Sequence, residues 1–326
     1  MINKKIISIG KEVIKTEIDS LKKLSSNINN SFEKLIKTIL NRKNGKVIIS
    51  GVGKSGIIGK KWAATLSSTG TPSFFLDASN ASHGDMGQIT SNDTVILISL
   101  SGQSDELKNI IQYSSRNKNI KLIGITSKKE SILFKNADIK FLLPEVKEAG
   151  PGNIIPTSST TVQVALGDAI AIACMRYKKF GKLDFKKFHP SGSLSVKLKT
   201  VEDLMLIKKK IPFVKESLSM KSALKSITRM GLGVLVVINK KNQTVGILTD
   251  GDIKRLSSLN TNFQNLKIKK VMKKNPISVD KNMLAAEALS IMNSEKITSL
   301  CVHQNKRKNS TIGFIHIHNV LDANIS

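Results

Sequence analysis

Residues 4–43 place apolar side chains at helical spacing: Val13, Ile14, Ile18, Leu21 and Leu24, then Ile28, Phe32, Leu35, Ile36 and Ile39. This stripe predicts one or two amphipathic helices with a buried apolar face. At Val47 the period changes. Short aliphatic runs at Val47–Ile49, Ser73–Leu76, Thr94–Ile98, Leu122–Ile125 and Ile139–Leu142 alternate with helical stretches at 56–68, 105–116, 131–136 and 158–178. Strands that alternate with helices imply an α/β fold, a parallel sheet covered by helices on both faces, with ligands expected at the carboxyl ends of the strands.

Beyond residue 200 the pattern repeats itself. "VEDLM" and "IKKVM" set Met205 and Met272 sixty-seven residues apart, and "VGILTDGDI" and "IGFIHIHNV" set Gly246 and Gly313 at the same offset. Each copy reads as a helix, two strands and a closing helix, so the tail is two stacked copies of one α+β unit. The expected organisation is N-terminal helices over 1–44, a sheet domain over 45–199, and repeat modules over 200–260 and 267–326.

"VIISGVGKSGIIGKKWAATLSSTG" runs from the first strand through a glycine turn into a helix. A nucleotide P-loop needs a glycine five residues before Gly53-Lys54, where this chain has Ile48, so that reading fails. Gly51, Gly53 and Gly56 satisfy the dinucleotide pattern G-x-G-x-x-G, with Asp77 a suitable distance on. A sugar-phosphate loop, with amides and hydroxyls at a helix N-terminus, fits as well. Both readings stand on this segment alone.

Composition narrows the partners. The formal net charge of +28 suits nucleic acid or an anionic membrane, but only six of the 52 basic residues are arginine and aromatics make up 4%. Nucleic-acid sites favour clustered arginine with stacking aromatics. The lysines are spread along the whole chain and read as solvated faces, so neither nucleic acid nor membrane is expected as a partner. Cys174 and Cys301 form no metal or disulfide framework and read as reduced core residues. The first ten residues carry no signal-peptide pattern, and the apolar stretch Val162–Met175 is interrupted by Gln163 and Asp168. A soluble, cytoplasmic protein is expected.

The chemistry-bearing residues sit in the loops. "VILISLSGQSDEL" brings Ser99, Ser101, Gly102 and Ser104 to a strand end, with Asp105 and Glu106 opening the next helix. Converging hydroxyls and amides suit a phosphate monoester, and serine also caps helices well, so the segment alone has two readings. "EVKEAGPGNIIPTSSTT" puts Glu148 before an irregular turn, "KKFHPSGSL" puts His189 after the long helix, and "ASNASHGDMGQ" puts His83 in another strand-end loop. No histidine spacing resembles a zinc signature, and no metal is expected.

Taken in order, "GVGKSG", "STGTPSFF", "ASHGDMGQI", "SLSGQSDE", "KEAGPGNIIPTSSTT", "ALGDAIAIA" and "FHPSGSL" resemble the sugar isomerase (SIS) domain of bacterial arabinose-5-phosphate isomerases. The doubled tail resembles their cystathionine-β-synthase-type (CBS) pair. The resemblance spans nearly the whole chain. It implies interconversion of D-ribulose 5-phosphate and D-arabinose 5-phosphate, the first step toward the octulosonate sugar of lipopolysaccharide, by a homotetramer that needs no cofactor.

The resemblance also implies site residues. Lys54, Glu106, Glu148 and His189 match the family's catalytic positions. Ser55, Ser99, Ser101 and Ser104 match its phosphate-holding hydroxyls, and Gly70, Thr71, Asp77 and His83 fall in its substrate-binding segments. An aldose–ketose exchange through an enediol needs a carboxylate base of near-neutral pKa and groups for the oxygen protons. On that basis Glu148 is the expected carbon base, His189 the group moving hydroxyl protons, Lys54 the cation facing enediolate charge, and Glu106 an orienting or second acid. Gln103, Asp77, Gly150 and Asn153 depart from the family pattern. Asp77 replaces a common histidine, which weakens any inhibitory zinc site there. The competing expectation is a regulator that senses a sugar phosphate without catalysis. Thr249 and Asp250 suggest a nucleotide or sugar-nucleotide at the CBS pair, and equally a strand-end cap.

Overall fold

The computed structural model describes residues 2–189, 193–259, 262–304 and 310–325. They form two compact units, Met1–Phe188 and His189–Ser326, so the division falls ahead of the junction expected at 199.

The first unit runs α1 (Ile2–Ser26), α2 (Asn30–Asn41), β1 (Val47–Gly51), α3 (Gly53–Ser68), β2 (Ser73–Phe75), α4 (Ala78–Ala81), β3 (Thr94–Ile98), α5 (Lys108–Arg116), β4 (Lys121–Thr126), α6 (Ile132–Asn136), β5 (Ile139–Leu142), α7 (Ser158–Tyr177) and α8 (Lys182–Phe188). The five strands are all parallel, in the order β2-β1-β3-β4-β5. Successive strand residues alternate between two cores. Val47, Ile49, Ile96, Ile98, Ile123 and Ile125 face α1, α2, α3 and α7, whereas Ile48, Val95, Leu97 and Leu122 face α5 and α6. Burial on both sides is why these strands read as unbroken aliphatic runs.

One element departs from the sequence reading. α1 forms, but Ile14 and Ile18 of its apolar stripe are exposed, as are Ile6 and Ile7. The helix packs against α7 toward its end, where Ser20 and Leu24 are buried, and nothing among the described residues covers the exposed isoleucines. α7 is 20 residues long, with the length and composition to cross a membrane. Val162, Leu166, Ile170 and Cys174 nevertheless form its buried face against the sheet, which makes it a core helix.

α3 and α7 lie side by side and run in the same direction. Trp62, near the middle of α3, donates its indole N–H to the Gln163 carbonyl at 2.9 Å, Lys61 pairs with Asp168, and Lys178 at the far end of α7 donates to the Gly70 carbonyl just past α3. The two helices therefore begin together at the carboxyl edge of the sheet.

The second unit contains α9 (Ser193–Lys197), α10 (Val201–Leu204), β6 (Leu206–Ile207), β7 (Phe213–Lys215), α11 (Met220–Met230), β8 (Val234–Ile238), β9 (Thr244–Thr249), α12 (Asp250–Leu259), α13 (Ile268–Val271), β10 (Lys273–Lys274), β11 (Ser278–Asp280), α14 (Ala285–Ser294), β12 (Ser299–His303), β13 (Gly313–His316) and α15 (Ile317–Leu321). Its sheets are ordered β10-β9-β8-β7 and β11-β12-β13-β6, so each repeat lends its leading strand to the other's sheet. The exchange explains the Met and Gly spacing. Met272 lies against Gly246 and Met205 against Gly313, where a side chain would overlap the thioether. The equivalent hydroxyls of Thr244 and Thr311 meet at 2.7 Å.

Gly167 faces fully buried Trp62, and a methyl group there would overlap the indole. Gly167→Ala gains about 1 kcal/mol of helix propensity, but overpacking costs about 1–3 kcal/mol. A net loss of stability is expected in urea unfolding; stability at or above wild type would show that Trp62 can move aside without cost.

Candidate active site

The strand order reverses direction between β1, whose chain continues to one neighbour, and β3, which continues to the other. At such a switch point the loops leaving two adjacent strands part and open a crevice at the carboxyl edge. The glycine loop leaves β1 and the serine loop leaves β3. The order 2-1-3-4-5 is the flavodoxin-like one, not the 3-2-1-4-5-6 arrangement of dinucleotide-binding folds, and this weighs against the dinucleotide reading.

The glycine loop is shaped by backbone contact. A Cβ on Gly51 would stand 2.9 Å from the Ile98 carbonyl oxygen, and one on Gly56 would stand 2.7 Å from the Gly51 carbonyl oxygen. Gly53 lies in the left-handed region at φ 58°. Side chains are thus excluded, and α3 starts hard against the strand end. Its N-cap, Val52, supplies no side-chain acceptor, so the first amides of α3 are open to an outside anion. Lys54 and Ser55 stand in that first turn, Lys54 exposed and without an ion-pair partner among the described residues.

The serine loop is pre-shaped by its own hydroxyls. The Ser99 hydroxyl accepts from the Gly102 amide at 3.0 Å and meets the Ser104 hydroxyl at 3.1 Å, while Ser101 accepts from Gln103. Gly102 has φ 65°, and a Cβ on it would overlap the Ser131 side chain. Ser104 stands at the N-cap of the following turn without a side-chain cap bond to it, and Glu106 in that turn is exposed. α4 packs against this turn, and the Asn109 amide donates to the Ser82 hydroxyl at 2.8 Å, bringing the His83 segment alongside Glu106. Asp77 caps α4 by accepting from Ser79 and Asn80. It lines a cavity of about 130 Å³ with Gly51, Gly53, Ile57, Lys60 and Phe75.

Glu148 is built differently. It is 8% exposed, and one carboxylate oxygen accepts from the Thr157 amide at 2.7 Å, the Thr157 hydroxyl at 3.2 Å and the Ser159 amide at 3.2 Å. Its own amide donates to the Asn153 side chain. Burial pushes the carboxyl pKa up, but the Ser159 hydroxyl and the Thr157 and Ser159 amides outweigh it, leaving the group below its ordinary value. That hydroxyl approaches the carboxylate without completing a well-formed hydrogen bond. This departs from the near-neutral pKa expected of a carbon base. No sequence signal marks the network, because two of its donors are backbone amides nine and eleven residues downstream.

Gly70 and Thr71 stand apart from the two loops. They precede β2 and so lie at the amino edge of the sheet, where Lys178 holds the Gly70 carbonyl and the Thr71 hydroxyl. His189 is half-buried at the start of the second unit, and Pro190, Ser191 and Gly192 of its motif lie outside the described residues. In the tail, Asp252 accepts from the amide and hydroxyl of Thr249 and pairs with Arg255, an arrangement that matches the strand-end cap. Among the described residues no group of three His, Cys, Asp or Glu side chains could hold a metal ion.

Residues 39–173 match the SIS domain family, and residues 201–258 and 268–326 match the CBS domain family. A Yersinia pestis protein named arabinose 5-phosphate isomerase KdsD is 40% identical over 317 residues, covering 97% of this chain and 95% of its own length. The chain belongs to the arabinose 5-phosphate isomerase family. A Francisella tularensis KdsD is 42% identical over 95% of this chain and 94% of its own. A solved Escherichia coli CFT073 protein in complex with arabinose 5-phosphate is 38% identical, with a TM-score of 0.56, and covers 58% of this chain and all of its own. Family membership thus extends through the CBS pair.

If the crevice holds phosphate through these two loops, Gly102→Ala should weaken inorganic phosphate binding by at least about tenfold, equivalent to about 1.4 kcal/mol. Titration followed by phosphorus NMR checks this, and unchanged affinity in a folded variant would place the anion elsewhere.

Proposed function

We propose that this chain interconverts D-arabinose 5-phosphate and D-ribulose 5-phosphate through an enediol. The observation that carries the reading is the uncapped start of α3 beside the serine loop at the switch point. Amides, the Lys54 ammonium and short hydroxyls meet there as a phosphate monoester requires. Near-full-length identity to arabinose 5-phosphate isomerases supports the sugar and the reaction.

In this reading Ser55, Ser99, Ser101 and Ser104 hold the phosphate. That remote contact fixes the reacting carbons, turning binding energy into orientation. A loop carboxylate removes the carbon proton, His189 exchanges the oxygen protons, and Lys54 stabilises enediolate charge. Asp77 and His83 border the sugar. The family's cytoplasmic role at the head of octulosonate synthesis and its homotetrameric assembly extend the reading, and the uncovered stripe of α1 supports assembly. A nucleotide or sugar-nucleotide at the CBS pair completes it. The purely sensing alternative is disfavoured because α1 and α2 contribute Leu24, Leu35, Ile36 and Ile39 to the sheet core and form no separate DNA-reading domain.

Purified full-length protein should convert ribulose 5-phosphate to arabinose 5-phosphate. Lys54→Ala and His189→Ala should each lower turnover by about two decades. Ser55→Ala with Ser101→Ala should raise KM, since each hydroxyl bond to a charged group is worth about 1.5–3 kcal/mol. A wild-type chain without activity on either pentose phosphate would reject the assignment; near-wild-type turnover in either single variant would remove that residue from the mechanism.

A further inference from the structure

α3 and α7 begin side by side at the same edge of the sheet, and each presents the positive end of a helix dipole there. They differ in what meets those ends. The start of α3 has no side-chain cap, whereas the start of α7 is filled by the Glu148 carboxylate. We infer that Glu148 is a positioning residue, an internal anion that locks the first turn of α7 and the loop leading to it, and that Glu106 is the carboxylate that removes the carbon proton. This inference rests on the isomerase reading.

Three observations carry it. All three donors to Glu148 converge on a single oxygen, and they come from the first turn of α7 and the residue before it. The loop is tied back from the other direction by the Ala149 amide on the Thr157 hydroxyl at 2.9 Å and by Asn153 on the Glu148 amide. A carboxylate gaining a proton at either oxygen loses the charge that holds these bonds, so proton abstraction would loosen the turn it is built into. A carboxyl stabilised in its ionised form is also a weaker base. Glu106 has none of these restraints: it is exposed, follows the serine loop, and has no hydrogen-bond or ion-pair partner among the described residues.

The downward shift at Glu148 comes from the donors of Thr157 and Ser159, against the opposing effect of burial, and no charged side chain is among its causes. Lys147 is its chain neighbour, and nearby Glu145 is paired with Lys128.

The deciding comparison is Glu148→Gln against Glu148→Ala and Glu106→Gln in the full chain. A glutamine oxygen can accept the same three bonds but cannot take a carbon proton. Glu148→Gln should therefore keep kcat within about tenfold of wild type and leave the acidic limb of the pH–rate profile in place. Glu148→Ala should fall further, and Glu106→Gln should lose about a thousandfold in kcat, within the range for a missing proton-transfer group. Equal losses of about a thousandfold in Glu148→Gln and Glu148→Ala, or an acidic limb displaced in Glu148→Gln, would overturn the inference.

Thermal melting provides a readout that does not depend on activity. A carboxyl with a depressed folded pKa stabilises the fold above its unfolded pKa and loses that contribution as pH falls through the folded value. Glu148→Ala should melt about 2–4 °C below wild type near neutral pH, with the gap closing in acid. A gap that is absent, or that does not depend on pH, would overturn the locking role. Absence of isomerase activity in wild type with this gap present would instead defeat the isomerase reading alone.

Discussion

Everything at the functional edge depends on backbone meeting backbone where β1 ends. The Gly51 Cα lies so near the Ile98 carbonyl, and the Gly56 Cα so near the Gly51 carbonyl, that no side chain fits at either position. This approach starts α3 directly over the strand end and aims its first amides into the gap between β1 and β3. Because strand order reverses at that gap, the serine loop arrives at the same place from the other side. A bulkier residue at Gly51 or Gly56 would tilt α3, and with it Lys54, Ser55 and the Trp62 contact that holds α7 alongside.

Much of this was legible in the chain. Runs such as "TVILI" predict strands buried on both faces, and their alternating residues do divide between two cores. The Met and Gly spacing of the tail marked a true duplication, whose reciprocal strand exchange only the structure reveals. Three features were not legible. The α1 stripe obeys helical spacing whether its cover is in this chain or outside it, so Ile14 and Ile18 read as core. The Lys178 bonds to the Gly70 carbonyl and the Thr71 hydroxyl join segments more than a hundred residues apart, which no local pattern announces. The Glu148 network uses backbone amides, which every sequence possesses.

The two helix starts show how one physical device serves two ends. A dipole end at a sheet edge attracts an anion, and the protein either supplies the anion or leaves the position open. At α7 it supplies Glu148; at α3 it supplies a cation, Lys54, which strengthens the demand for an outside anion. The asymmetry distinguishes a structural carboxylate from a ligand position without reference to residue type alone. The repeat unit contains a comparable pair, since Thr249 with Asp252 and His316 with Asn319 cap equivalent strand ends by different chemistry.

In the proposed function this crevice binds a pentose phosphate and moves a proton between its first two carbons through an enediol. Running the isomerisation in deuterium oxide and reading the product by mass spectrometry and proton NMR tests it most directly. Product should carry deuterium at the carbon that receives the proton, because a carboxylate base exchanges with solvent. Product formed with no deuterium at that carbon, or no product at all, would contradict it.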